Sequence, residues 1–345
     1  MGASTHIYLV QSPLQVINAF EARRSCGANE DVDHKLILFE RKEAENNRLL
    51  RNTLACLNWQ PIYSVPYSPS NVGKCLHWLR LRLFLASQPR VKRIFIGEYA
   101  SGMPIAAANL FPKAETYLLD DGTSSLNFPD FRYHGKKTEH LPGAKNIPSL
   151  GYYTNLPEGI RFFSIYDLPL KAPDILIRNE LSFLRDSFQA DPNGPVYFIG
   201  SCLPDVEVIT FDAYFDLMRG VRKWFGSRDI YYFPHRREIL PRKEALFREL
   251  GINLQSTDLP FELHVTRTSL RPSYFATFYS TAFDTLKLIG AGNSNKLIAF
   301  HVPSELIQTA ADRSIAEMSY SNYTASGQIE VIREFVNFTQ ISSLE

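Results

Sequence analysis

Two short stretches of the chain concentrate side chains able to move protons or grip an anion. The segment IYYFPHRRE, residues 230–238, runs four β-forming residues into Pro234 and then sets His235, Arg236 and Arg237 in succession. Donors directly after an apolar strand suit a seat for phosphate or carboxylate, although a solvated basic loop has the same composition. The segment DDGTSSLN, residues 120–127, places adjacent carboxylates, Asp120 and Asp121, before Gly122 and a run of hydroxyls. Turn chemistry alone favours Asp and Gly there. The pair is also suited to act as general base or to orient a sugar, and it is short of the further acidic ligands a metal needs.

Other polar groups fall at the ends of apolar runs. FIGSCLPD sets Gly200 and Ser201 at a strand end, where glycine lets a ligand approach the backbone, and Asp205 follows a few residues on. DLPFELH puts Glu262 at a helix start, where an acid suits the helix dipole. FYSTAFDTL has Ser280 and Thr281 closing a strand and opening a helix, a phosphate or carboxylate seat. In QSPLQ, Ser12, Pro13 and Gln15 fit a capping box. Capping rules account for each of these alone. In combination, the second half offers an anion seat with cationic donors and the first half offers carboxylates, which suits a nucleotide-activated donor and an acceptor.

The elements that must position these residues alternate. HIYLV, KLILF, RIFIG and TYLLD read as buried strands, with helices between them at LQVINAFEA, NNRLLRNTLACL, CLHWLRLRLFL and PIAAANLF. A second series runs PVYFIGS, IYYFPH, INLQS, YFATFYS, KLIAF, with helices near 212–225, 241–250, 260–266 and 282–290. The reading is an α/β protein of two Rossmann-like, doubly wound domains, 1–190 and 191–345, whose last helix can pack back on the first domain. An irregular stretch from about 127 to 190 contains one expected helix, ILIRNELSFLRDSF. In such sheets ligands bind beyond the carboxyl ends of the strands, where the residues above stand. Tyr133, His134, Tyr152 and Tyr153 of the irregular stretch are expected to shape acceptor selectivity.

The totals set limits. A chain of 345 residues suits two domains. A net charge of +1 argues against a nucleic-acid partner and leaves anion binding to local clusters. Cys26, Cys56, Cys75 and Cys202 form no C-x-x-C, which suits a reducing cytoplasm. No secretion signal is read at the start. CLHWLRLRLFLAS is too short to span a bilayer and is broken by Arg80 and Arg82. It reads either as a docked helix with outward arginines or, less simply, as a helix lying on a membrane surface. His140 and the other scattered histidines draw no role.

At these residues the chain resembles the bacterial sialyltransferases of glycosyltransferase family 52 and the related capsular polysialyltransferases. RVKRIFIGEYASGMPIAAANLFPKAETYLLDDGTSSLN follows their strand–helix–strand–DDGT pattern, and SPLQVINAFEA resembles their opening helix. IGSCLPD, FPHRRE, PFEL and FYSTA resemble four later boxes, the ordered set spanning about residues 6–300. One departure is that Arg236 stands where the His-Pro box carries proline.

The resemblance implies a GT-B fold, two Rossmann-like domains facing a central cleft, and an inverting, metal-independent transfer from a CMP-activated nonulosonic acid to a hydroxyl of a bacterial surface glycan, as in capsule or lipopolysaccharide synthesis. Carried over by motif, Asp205 is a candidate base, with Asp120 and Asp121 its rivals. His235 contacts or protonates the leaving CMP phosphate and Arg237 supports it. Glu262 holds ribose or base, Gly200 and Ser201 line the donor site, and Ser280 with Thr281 binds phosphate or the sugar carboxylate. No cofactor is implied beyond the CMP-sugar co-substrate. A glycan or lipid-linked glycan acceptor, a cytoplasmic location with peripheral contact at the inner membrane face, and a homodimer are all compatible with the sequence. CMP-Kdo, another nucleotide sugar, or a non-catalytic glycan-binding role are the alternatives.

Overall fold

The computed structural model describes residues 4–27, 31–135, 146–235 and 237–336. Arg236 and His140 lie outside them. The chain forms two compact units, Met1–Phe183 with Asp258–Leu263, and Leu184–Thr257 with His264–Glu345. The main division thus falls between residues 183 and 184, where the sequence reading set it at 190/191.

Unit 1 alternates β1 (Ser4–Val10), α1 (Pro13–Gly27), β2 (Val32–Phe39), α2 (Ala44–Cys56), β3 (Tyr63–Val65), α3 (Asn71–Ala86), β4 (Val91–Ile96), α4 (Gly102–Ala108), β5 (Glu115–Leu119), α5 (Phe128–His134), β6 (Arg161–Ser164) and β7 (Ile175–Arg178). Its sheet is ordered β3-β2-β1-β4-β5-β6-β7, and every pairing is parallel. Helices cover both faces of such a sheet, so its central strands are apolar runs rather than alternating ones. Ile7, Leu9, Ile37, Ile94, Ile96 and Leu118 accordingly form the core with Trp78, Leu81 and Leu85 of α3.

α6 (Ser182–Ser187) leads into unit 2, which comprises β8 (Val196–Ile199), α7 (Phe211–Phe225), β9 (Ile230–Phe233), α8 (Glu244–Glu249), β10 (Ile252–Leu254), the later part of α9 (Phe261–Arg267), β11 (Tyr274–Thr277), α10 (Ala282–Ile289), β12 (Lys296–Phe300), α11 (Ala310–Ser326) and β13 (Ile329–Ile332). Its sheet is ordered β10-β9-β8-β11-β12-β13, again wholly parallel. Both orders reverse direction beside their first strand. The switch points, where doubly wound sheets take ligands, lie between β1 and β4 and between β8 and β11. The expected α/β class with two doubly wound, Rossmann-like sheets is therefore the one observed.

The helix expected over 175–188 is a correction. Ile175–Arg178 is instead an outer strand paired to β6, and only Ser182–Ser187 is helical. Asn179 breaks the run. Its buried side chain accepts from Leu181 N at 3.0 Å and donates to Asn18 at 3.1 Å, a side-chain turn that competes with helix. Leu181 then takes φ +46°. The stretch read as irregular thus supplies two strands that extend the first sheet. Within it, the Arg132 guanidinium grips the nearly buried Asp174 through Nε at 2.9 Å and Nη2 at 3.2 Å.

Candidate functional site

In unit 1 the polar residues gather at the carboxyl ends of β1, β2, β4 and β5. Ser12 follows β1 and caps α1, its Oγ accepting from Gln15 N at 3.3 Å while the same hydroxyl donates to Asp121 Oδ1 at 3.1 Å. The capping box of the sequence is present in shifted form, because Gln15 Oε1 accepts from Gln11 N at 2.9 Å. Asp121 is held at the mouth of the DDG turn, its amide donating to Ser125 Oγ at 3.1 Å. Gly122 takes φ +68° there, a conformation that disfavours any side chain.

The two adjacent acids have different fates. Asp120 is buried, and its oxygens accept from Ser164 Oγ and from Ile165 N, both at 2.7 Å. Burial pushes its pKa up to about 6, with those hydrogen bonds pulling the other way. It fastens β5 to β6. Asp121 is only half-buried, with Ser12 as its hydrogen-bonded side-chain partner.

Glu98, directly after β4, completes this edge and was not singled out in the sequence. Burial raises its pKa, and the negative charge of Asp121 adds to the rise. Arg41, after β2, opposes that shift through Nη2 at 2.9 Å, as does a hydrogen bond from Gln11 Nε2. The strand-end rule applied to RIFIGE would have found it. The result is a half-exposed carboxylate pair, Glu98 and Asp121, steadied by one arginine and by amide and hydroxyl donors. Such a pair suits removal of a proton from a hydroxyl and orientation of a polyol.

In unit 2 the corresponding edge is built on a buried ion cluster. Lys243 Nζ lies 2.6 Å from Asp205 Oδ2 and 2.7 Å from Glu238 Oε2, all three side chains being 0–1% exposed. Asp205 Oδ1 also accepts from Ile239 N at 2.9 Å. Glu238 accepts from Tyr232 Oη at 2.7 Å and from His235 N at 2.7 Å, and Tyr232 Oη meets Tyr214 Oη at 2.6 Å. Burial raises the Glu238 pKa against the pull of Lys243.

Asp205 is thus committed to holding the loop after β9. Gly200 serves the same cluster. A Cβ there would stand 2.1 Å from Glu238 Oε1 and 2.6 Å from Tyr232 Oη. The close approach that requires glycine is made by those side chains, where the sequence reading had a ligand.

His235 emerges above this platform. Its Nδ1 accepts from Arg237 N at 3.2 Å, which places the proton of the neutral ring on Nε2. Arg237 is exposed beside it. Ser201 is buried at the end of β8, and its hydroxyl has no hydrogen-bond partner among the described residues. At the end of β11, Ser280 Oγ accepts from Ala282 N at 3.3 Å, and its backbone amide and carbonyl are both taken by Tyr323 Oη at 2.9 Å. That leaves the exposed Thr281 at the start of α10 as the more open member of the expected anion seat.

The structure therefore brings Gly200, Asp205 and His235 together through Glu238 and Lys243, with Ser201 adjoining Gly200 and Arg237 adjoining His235. Glu262 lies in the first turn of α9 and falls with unit 1, because the division of the chain passes through that helix. Among the residues expected to select acceptor, Tyr133 is engaged by Asp174 at 3.0 Å and Tyr152 packs edge-on against Trp78. His134 pairs with Asp130 at the surface, and Tyr153 is exposed. Concavities of about 450 and 510 Å³ lie elsewhere on unit 2 and are lined by none of the edge residues. Among the described residues no group of three or more His, Cys, Asp and Glu is placed to hold a metal ion. No described helix is long and apolar enough to cross a membrane.

No protein-family model matches the chain, and no curated protein sequence matches it. Solved structures do share its fold. The UDP-GlcNAc 2-epimerase of Methanocaldococcus jannaschii is similar over 99% of this chain and 91% of its own, at 10% identity and TM-score 0.57. The UDP-GlcNAc 2-epimerase of Neisseria meningitidis, solved bound to UDP-GlcNAc, is similar over 99% and 92%, at 9% identity and TM-score 0.54. The GT-B domain of a sialyltransferase from Photobacterium damselae aligns over 95% and 99%, at 10% identity and TM-score 0.49. The chain has the α/β, GT-B-like fold of paired parallel-sheet units.

Proposed function

We propose that the protein is a glycosyltransferase that moves a nonulosonic acid from its CMP-activated form to a hydroxyl of a bacterial surface glycan. The observation that carries this reading is the imidazole at the end of β9. His235 is held by Arg237 N at Nδ1 and by Glu238 at its own amide, so the neutral ring carries its proton on Nε2, the nitrogen proposed to donate to a ligand oxygen. The ordered resemblance of the surrounding boxes to family 52 supports CMP as the nucleotide, and the fold shared with a structure bound to UDP-GlcNAc supports a nucleotide sugar in general.

In this reaction the acceptor oxygen bonds to the anomeric carbon as the bond from that carbon to the phosphate oxygen breaks, with inversion. Asp121 takes the acceptor proton. Its exposure favours it over Asp120 and Asp205, whose oxygens are already committed. Glu98 and Arg41 orient the acceptor. His235 Nε2 donates to the departing phosphate, Arg237 neutralises its charge, and Thr281 and Ser201 supply further hydrogen bonds. Glu262 is assigned to the ribose or base. Donor groups aimed at the developing phosphate charge account for the acceleration, and the proposed reaction uses no metal.

The test is CMP release from CMP-sialic, CMP-legionaminic, CMP-pseudaminic acid and CMP-Kdo, with EDTA present, for wild type and His235→Ala. Turnover of one nonulosonate donor that collapses in the variant is expected. Turnover of CMP-Kdo alone would reassign the sugar. No CMP release from any donor, with consumption of UDP-GlcNAc in a parallel assay, would favour the chemistry named for the epimerases.

A further inference from the structure

α3 carries apolar residues on two opposite faces. Trp78, Leu81 and Leu85 are buried against the sheet. Val72, Leu76, Leu79 and Leu83 are 71, 50, 39 and 75% exposed. Their spacing of four, three and four residues stacks them in one stripe, which points away from the buried face. At about 100° per residue, Arg80 and Arg82 fall about 80° to either side of that stripe. Both are exposed, and Arg82 Nη1 donates to Leu150 O at 3.0 Å. The helix contains no acidic residue.

We infer that this outer face of α3 docks on an anionic lipid surface, with the leucines entering the headgroup boundary and the two arginines meeting lipid phosphates. Apolar residues in a stripe between cations are the arrangement of helices that lie in a membrane interface. Charge complementarity selects this occupant over a second copy of the chain. Two such stripes packed together would bring arginine against arginine, with no acid on either helix to pair them. The inference stands apart from the donor assignment.

The test is co-sedimentation of the whole protein with vesicles of phosphatidylcholine alone or with about 30% phosphatidylglycerol. Binding to the anionic vesicles, lost at high salt, is expected. Leu76→Ser/Leu79→Ser/Leu83→Ser should weaken it by about tenfold or more. Arg80→Glu, which leaves the leucines in place, should weaken it without altering the thermal midpoint. CMP release with a soluble acceptor should be unchanged in both variants, so a failed donor assay and a failed vesicle assay are separate results. Equal binding to neutral vesicles, no binding to anionic ones, or unaltered binding by both variants would overturn the inference. So would a dimer in vesicle-free solution that the serine variant dissolves, which would assign the stripe to a second copy.

Discussion

Three aspartates compete for one chemical role, and burial separates them. Asp205 is nearly inaccessible and satisfied by Lys243 and an amide, Asp120 by a hydroxyl and an amide, while Asp121 keeps one short tie to Ser12. A general base contributes about 10²–10⁴-fold. Asp121→Asn is therefore expected to lower kcat by at least about 100-fold with the donor KM little changed. Asp205→Asn should keep substantial activity and lose it in step with stability. Steady-state kinetics alongside thermal unfolding separates the two, and a dead but fully stable Asp205→Asn would return the base to that residue. Asp120 has its own signature in pH. Its pKa rises on folding from 3.8 to about 6, so the folded state holds the proton more tightly. The associated stability is full below about pH 4 and is lost as pH rises through about 6, about 3 kcal/mol in all. Asp120→Asn removes that slope, and also costs about 1–3 kcal/mol because an amide nitrogen cannot accept from Ile165 N. Urea unfolding of both proteins from pH 4 to 7 should show the wild-type profile falling more steeply.

At the scale of elements, the loop after β9 is fixed from beneath. Asp205 from the β8–α7 loop and Glu238 and Lys243 from the β9–α8 connection form one buried cluster, and His235 hangs from Glu238 by its backbone amide. Lys243→Met leaves two carboxylates unpaired in the interior, a change that costs about 3–5 kcal/mol when a buried pair is broken. Gly200→Ala acts more locally, since its Cβ displaces Glu238 or Tyr232 from β8. Its expected result is a loss of turnover larger than its loss of stability, read from kcat against the urea midpoint. Equal losses would make the cluster a packing feature alone. Little of this was legible in the sequence. Lys243 sits in PRKEAL, within the helix expected over 241–250, and its burial depends on acids 38 and 5 residues away. The central strands were legible because strands covered on both faces are apolar throughout. β3, β6, β7 and β13 were missed as short outer strands, three or four residues long, with too little pattern to register. Polar strand ends were legible as a class, and His235, Asp121 and Ser201 came from that rule. Which of them stay open to a ligand was decided by tertiary partners such as Tyr323 on Ser280 and Lys243 on Asp205.

For the whole molecule, a net charge of +1 leaves no general field to attract a nucleotide, so the proposed affinity for CMP rests on the local donors at one sheet edge. The consequence is measurable without turnover. A ligand that binds only the native state stabilises by about 2.7 kcal/mol at 100 times its Kd. Unfolding entropy near the midpoint is about 2.1 cal/mol/K per residue. If unit 2, about 156 residues, melts by itself, saturating CMP should raise its midpoint by about 8 °C. If all 345 residues melt as one, the same binding energy gives about 4 °C. Calorimetry with and without CMP therefore reports both whether the nucleotide binds and how much of the chain its binding protects. The shift should persist in EDTA, persist in Asp121→Asn, and shrink in His235→Ala and Thr281→Val. A CMP shift abolished by Asp121→Asn and unaffected by His235→Ala would place the nucleotide on unit 1 and reverse the proposed division of labour.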